Sequence, residues 1–330
     1  MMLRLLKTSS LKDKSKMKTY KETIIKSIYA STLLLLSVLT MGNSSQAQDA
    51  IPIPDGPYLG QTPPGSTPEI FAPGIVNKEE STDLEGMFGS DMKTFYFVRE
   101  GEEYGGVVKV GEFKGNEVSY GLAAIEYKNN KWQHSVVARA ASEPSISPDG
   151  NTILFKNGYI ERTSDGWSEM KSLGEPFASI SIMRSAISSN GTIYFDTFNR
   201  AQDIPLRYSR LIKGKYEAPK SLGSQFGIGR YNAHPFIAPD ESYIIFDSVR
   251  EGGYGSSDLY ISFRAADGSW GPAINMGDKI NTPASEKNPS LSPDGKFLFF
   301  NWRTKPRNED VTIYWVDAQI IETLRSNLTN

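Results

Sequence analysis

"NPSLSPDGKFLFF", residues 288 to 300, is an apolar-polar alternation broken by Ser-Pro-Asp-Gly and resumed until it closes on Phe299-Phe300. Proline presets φ at the second position of a tight turn, and Asp followed by Gly tolerates the left-handed region, so the stretch specifies two strands joined as a hairpin. The same hairpin is written four more times: "EGMFGSDMKTFYF" (85–97), "EPSISPDGNTILF" (143–155), "RSAISSNGTIYF" (184–195) and "HPFIAPDESYIIF" (234–246). The turn residues Asp91, Asp149, Asn190, Asp240 and Asp294 are 58, 41, 50 and 54 residues apart. Third-strand candidates follow as "GLAAIEYK", "YIERTS", "LRYSRLI", "DLYISFRA" and "TIYWVDA". A fourth element recurs as "NNKWQHSVV", "DGWSEMKSLG", "GKYEAPKSLG" and "DGSWGPAINMG". A period of this size with four short strands per unit predicts an all-β chain folded as a single β-propeller, and no long helical periodicity supports a stack of αβ units.

Five four-stranded blades are expected, with repeats at about 67–141, 142–182, 183–232, 233–286 and 287–330 of a propeller spanning 67–330. Six blades are the alternative, with a degenerate hairpin hidden in "GEFKGNEVSYGLAAIEYKNNKW" (111–132). The last repeat lacks its own fourth strand, and "STPEIFAPGIVN" (66–77) matches that element in length and in its Pro-Gly exit. Residues 67–76 are therefore expected to complete the last blade, closing the ring so that no long sheet edge is left open.

These residues carry a resemblance. The Ser-Pro-Asp-Gly turns, "IAPDESYIIFDS", "GGYGSSDLYISF" and "DGSWGPAINMGDKINTP" resemble the WD40-like, TolB-type β-propeller repeat family, in particular its exported bacterial members. The resemblance is densest over 230–318, and "GSDMK" and "SSNGT" depart from it in the first and third repeats. It implies the propeller fold and a role with a protein partner, without transferring the partner, since one scaffold hosts unrelated functions.

The chain begins with a lysine-rich stretch, an apolar run "IYASTLLLLSVLTM" (28–41) and small residues at Ser45 and Ala47, with Met1 or Met17 as the start. That pattern predicts a signal peptide over 1–47, an N-terminal extension over 48–66, and a periplasmic or secreted product. The apolar run is shorter than the roughly 20 residues of a spanning helix, so no membrane insertion is expected after cleavage. Cysteine is absent, which excludes disulfides and a lipid-bearing cysteine. The first 47 residues carry eight Lys/Arg and two acids, leaving 28 basic against 36 acidic residues in the remainder. Such a surface argues against nucleic acid as a partner.

Six residues before each turn stand Glu85, Glu143, Arg184, His234 and Asn288, predicted to ring the channel mouth on the face of the strand entrances, with the turns on the opposite face. The ring either binds a ligand or pairs its own charges. Arg99, Arg200, Arg250 and Arg303 follow the second strands, where a planar guanidinium suits carboxylate or phosphate and equally suits an acid of the next blade. Arg250 and Arg303 join the ring as candidate ligand-binding residues. Trp132, Trp167, Tyr216 and Trp270 are expected as outer-strand packing, and the turn acids as turn formers. "REGGYGSSDLY" is expected to be a top loop rather than a phosphate cradle.

No HExxH, GxSxG, cysteine nucleophile or EF-hand loop occurs, and two histidines make a multi-histidine metal site improbable, so neither a metal nor a cofactor is expected. The expected function is an exported, non-catalytic binding or interaction protein, its partner a ligand, a cell-envelope protein or a glycan at the channel mouth. The alternative is a glycan-active hydrolase or lyase using Glu85 and Glu143, the two carboxylates on that ring. At its ordinary pKa, His234 would tune binding between about pH 5 and 8.

Overall fold

The computed structural model describes residues 56–330 except 80, 102–106, 110–116, 198–204, 305–309 and 329–330. Residues 1–47, where a signal peptide was expected, and Arg200 lie outside the described residues. Among the described residues, five antiparallel sheets of four or five strands follow one another along the chain, with a two-stranded ribbon, Leu211–Ile212 and Lys215–Tyr216, within the third repeat. The first blade is Asp83–Phe88, Thr94–Glu100, Glu117–Lys128 and Lys131–Arg139. The second is Pro144–Ile146, Thr152–Phe155, Gly158–Thr163 and Lys171–Ser172. The third is Ile182–Ile187, Ile193–Thr197, Leu206–Ser209 and Lys220–Ser221. The fourth is Asn232–Ile237, Tyr243–Ser248, Asp258–Phe263 and Ile274–Asn275. The fifth is Ser285–Leu291, Phe297–Arg303 and Val311–Asp317, with Glu69–Ile70 as its outer strand.

The chain is thus a five-bladed β-propeller of four-stranded blades. Residues 117–132, where a sixth hairpin was the alternative, form the third and fourth strands of the first blade instead. The ring closes through Glu69 and Ile70, which pair with Trp315 and Tyr314. Asn77 ties this clasp down: its Nδ2 donates to the Phe71 and Ile313 carbonyls, and its Oδ1 accepts from the Ile313 N–H at 2.8 Å. Phe71 follows the strand directly and is fully buried, with ring centroids 4.4 Å from Phe95, 5.1 Å from Trp315 and 5.2 Å from Phe299. It locks the two ends of the chain into one aromatic cluster between the first and last blades.

The turns form for the reason their residues suggest. Asp149 Oδ1 accepts from the Asn151 N–H, Asp240 Oδ1 from Ser242, Asp294 Oδ1 from Lys296, and Asn190 Oδ1 from Thr192. Trp167 packs edge-on to Tyr96 of the preceding blade, and Trp270 does the same to Tyr194. These aromatics are seams between blades. A C-terminal helix, Gln319–Ser326, which the sequence reading did not anticipate, buries Ile321 against the fourth and fifth blades.

Candidate functional site: the axial polar ring and the cavity beneath it

In four first strands the ladder with the second strand skips: between Leu84 and Met87, Ile182 and Ser185, Ala233 and Phe236, and Lys287 and Ser290. At these bulges Glu85, His234 and Asn288 take left-handed φ values of 59°, 50° and 54°, and Glu143 takes 59° just before its strand begins. A bulge re-aims one side chain and frees one N–H. Pro235 and Pro289 fall inside two of these bulges, where the ladder is already interrupted and a missing N–H loses nothing, and Pro144 is the first residue of its strand.

Four of the five side chains meet across the axis. Asn288 Nδ2 donates to Glu143 at 2.9 Å and lies 3.3 Å from Glu85 Oε1, joining the fifth blade to the second and first. Glu85 Oε2 accepts the Glu143 N–H at 2.8 Å. His234 donates from Nδ1 to Asp247 at 2.5 Å, and its Nε2 stands 3.7 Å from Glu143. The ring, expected either to bind a ligand or to pair its own charges, is buried: Glu85, Arg184, His234 and Asn288 are at most 5% exposed. The bulges turn these side chains inward, where partners from non-adjacent blades close the axis.

Three residues of the plug were missed in the sequence. Asp196, Asp247 and Asn301 each follow a phenylalanine inside a second strand, and each faces N–H groups freed from the ladder. Asp196 accepts from Arg184 and His234, both at 2.8 Å; Asn301 Oδ1 accepts from Glu85 at 2.9 Å; and Asp247 Oδ1 lies 3.4 Å from the Asn288 nitrogen. The signal was present as Phe-Asp, Phe-Asp and Phe-Asn at 195–196, 246–247 and 300–301. The first two blades carry Val98 and Lys156 there, and the Glu85 carboxylate caps the Glu143 N–H instead. Two carboxylates were expected at this ring; the structure gathers four.

Burial raises two of these acids. Glu85 is pushed up to about 8 by burial and then by Glu143, with Arg184 and His234 opposing. Asp196 is pushed up to about 6 by burial, against the pull of His234 and the two N–H donors. Burial alone would lower His234, but Asp247 and Glu143 outweigh it and its pKa is raised, away from the ordinary value expected for a pH-tuning role. Among the described residues no group of three or more His, Asp or Glu is arranged to hold a metal.

The arginines divide. Arg99 is bound to Asp83 at 2.6 Å and to the Val76 carbonyl. Arg250 bonds Ser248, Asn232 and the Gln225 carbonyl, so its fork is spent within the fold. Arg303 has a buried Nε with no hydrogen-bond partner among the described residues, and its charge reaches Lys287 and Tyr231, whose ammonium and ring lie 4.8 Å apart.

Beyond the plug, on the side of the Pro-Asp-Gly turns, lies a cavity of about 440 Å³. Each first strand contributes an apolar wall residue: Met87, Ile146, Ile187, Phe236 and Leu291. Of the five ring residues, Arg184 alone lines it. The cavity thus sits on the opposite side of the ring from the strand entrances, where ligand contact was expected.

No protein-family model matches the chain. No curated protein matches it either. Among solved structures it is similar to TolB from Acinetobacter baumannii at 15% identity and a TM-score of 0.44, over 71% of this chain and 54% of that one. The chain therefore spans about half the length of that TolB. A provisionally assigned TolB from Agrobacterium tumefaciens aligns at 16% identity and a TM-score of 0.43, over 72% of this chain and 77% of that one. The α-L-arabinofuranosidase PaAbf62A from Podospora anserina, solved with cellotriose, aligns at 8% identity and a TM-score of 0.45, over 76% of this chain and 97% of that one. The TolB resemblance read from the repeats thus stands as distant structural similarity among propellers, and at these identities and TM-scores it says nothing of activity.

Proposed function

We propose that the chain is a non-catalytic binding protein that takes a small ligand into the axial cavity on its turn face. The observation that carries this is the contrast across Arg184: above it the acids and the histidine are committed to backbone, amide and one another, while below it largely apolar walls surround open volume. A cavity of a few hundred Å³ with mostly apolar walls and few polar groups is the usual form of a small-molecule site. Export, read from the N-terminal stretch, belongs to the same proposal and would place the ligand in the cell envelope or outside it.

A glycan-active reading has one specific observation behind it. Glu85, kept protonated at neutral pH, shares the Asn288 amide with Glu143, and His234 links Glu143 to Asp247. What weighs against it is access, because Glu85 is buried and both its oxygens are occupied.

A thermal-shift screen with sugars, cell-wall fragments, fatty acids and alcohols separates the two readings when run on the parent and on Ile146→Trp, which fills the cavity. A ligand that raises the parent Tm and leaves Ile146→Trp unmoved is expected. Glycoside turnover that disappears in Glu143→Gln would overturn the binding reading.

A further inference from the structure

Arg184 is 2% exposed, and its Nε and Nη1 have no hydrogen-bond partner among the described residues. A guanidinium carries five N–H donors, and leaving a buried donor unmade costs about 1–3 kcal/mol, more when it is charged. The surrounding acids do not meet this need. Asp196 accepts from the Arg184 backbone N–H rather than from its guanidinium. Glu85, on whose carboxyl Arg184 acts, directs its oxygens to Glu143 and Asn288. Burial also keeps Glu85 protonated up to about pH 8, so it does not cancel the guanidinium at neutral pH.

Arg184 also lines a cavity to which every blade contributes an apolar residue. The other cation of the lining, Arg325, bonds Glu322 and stacks on Phe263 at 4.6 Å, and Asp240 and Glu322 add negative charge beside it. Among the described residues, one cation of the lining with unpartnered nitrogens on the plug side, and acids near the turns, favour a ligand of single negative charge carried at one end.

Resting on the cavity as the binding place, we propose that the ligand is a small apolar carboxylate. Its headgroup is held by the Arg184 fork, and its tail lies against Ile146, Ile187, Phe236 and Leu291. A planar, bidentate match between guanidinium and carboxylate supplies orientation, and the apolar walls supply affinity.

Calorimetric titration at pH 7 with octanoate, 1-octanol and octylamine tests this on the parent, Arg184→Gln and Ile146→Trp. Octanoate is expected to bind the parent at least tenfold more tightly than octanol, and octylamine least of all. Arg184→Gln is expected to erase the octanoate advantage while leaving octanol unchanged, and Ile146→Trp to weaken both. Octanol or octylamine binding the parent as tightly as octanoate, or octanoate retained in Arg184→Gln, would overturn the carboxylate assignment and leave the cavity reading standing. No binding of any probe to the parent would overturn both. Should Arg184→Gln fail to fold, the order of the three probes on the parent decides alone.

Discussion

At Glu85 the fold holds a carboxyl group in its protonated form. The folded value of about 8 lies above the ordinary 4.5, so the native state keeps a proton that the unfolded chain has released between those values. The stability this group contributes is full below about pH 4.5 and is lost as pH rises through 8, by at most about 1.4 kcal/mol per pH unit. Asp196 and His234, both raised, act with the same sign. Urea unfolding from pH 5 to 9 is expected to show stability falling with pH, and a shallower fall in Glu85→Gln, which mimics the protonated acid; parallel curves would contradict this account of Glu85. Asp196→Ala is expected to cost about 3 kcal/mol in the same measurement, because it strips the acceptor from the buried Arg184 and His234 N–H groups. A loss within 0.5 kcal/mol of zero, the range of ordinary surface changes, would mean that those donors find water. The five inward positions were legible as residues six before each turn, whereas their depth was not. Spacing reports which strand a residue sits on, but burial depends on bulges and on how closely five strands approach the axis.

Among the elements, the clasp formed by Glu69–Ile70 and Phe71 is the point where the ring can open. Phe71→Ala is expected to lower unfolding stability by about 3–5 kcal/mol, as for other buried phenylalanines, and to raise hydrogen exchange along Val311–Asp317 ahead of the other blades. Uniform loss of protection across all five blades would mean that the clasp does not act locally. This closure was readable because the last repeat visibly lacked a strand and "STPEIFAPGIVN" visibly lacked a blade. Hairpins were readable because Pro-Asp-Gly chemistry acts over four residues. The C-terminal helix was not, since eight residues after the last strand offer barely two turns of periodicity, and the helix is held by packing on Tyr243 and Phe263. Gly86 shows the same dependence on neighbours. It stands where three other blades have proline, and a Cβ there would lie 2.5 Å from the Phe95 ring, a contact no spacing argument foresees.

For the molecule as a whole, one ring of bulges divides the axis into a polar plug and an apolar cavity. The repeats specify the scaffold, and the differences between repeats specify the site: Arg184 has no left-handed φ among the ring residues and no side-chain hydrogen bond at Nε or Nη1. The central claim is that ligand binds below the plug, on the turn face. A crystal of the protein soaked with 8-bromooctanoate tests it directly through the anomalous signal of bromine. The expected result is bromine among Phe236, Ile146 and Leu291, with the carboxylate on Arg184. Bromine on the opposite face, beside Tyr231 and Lys287, would contradict the account.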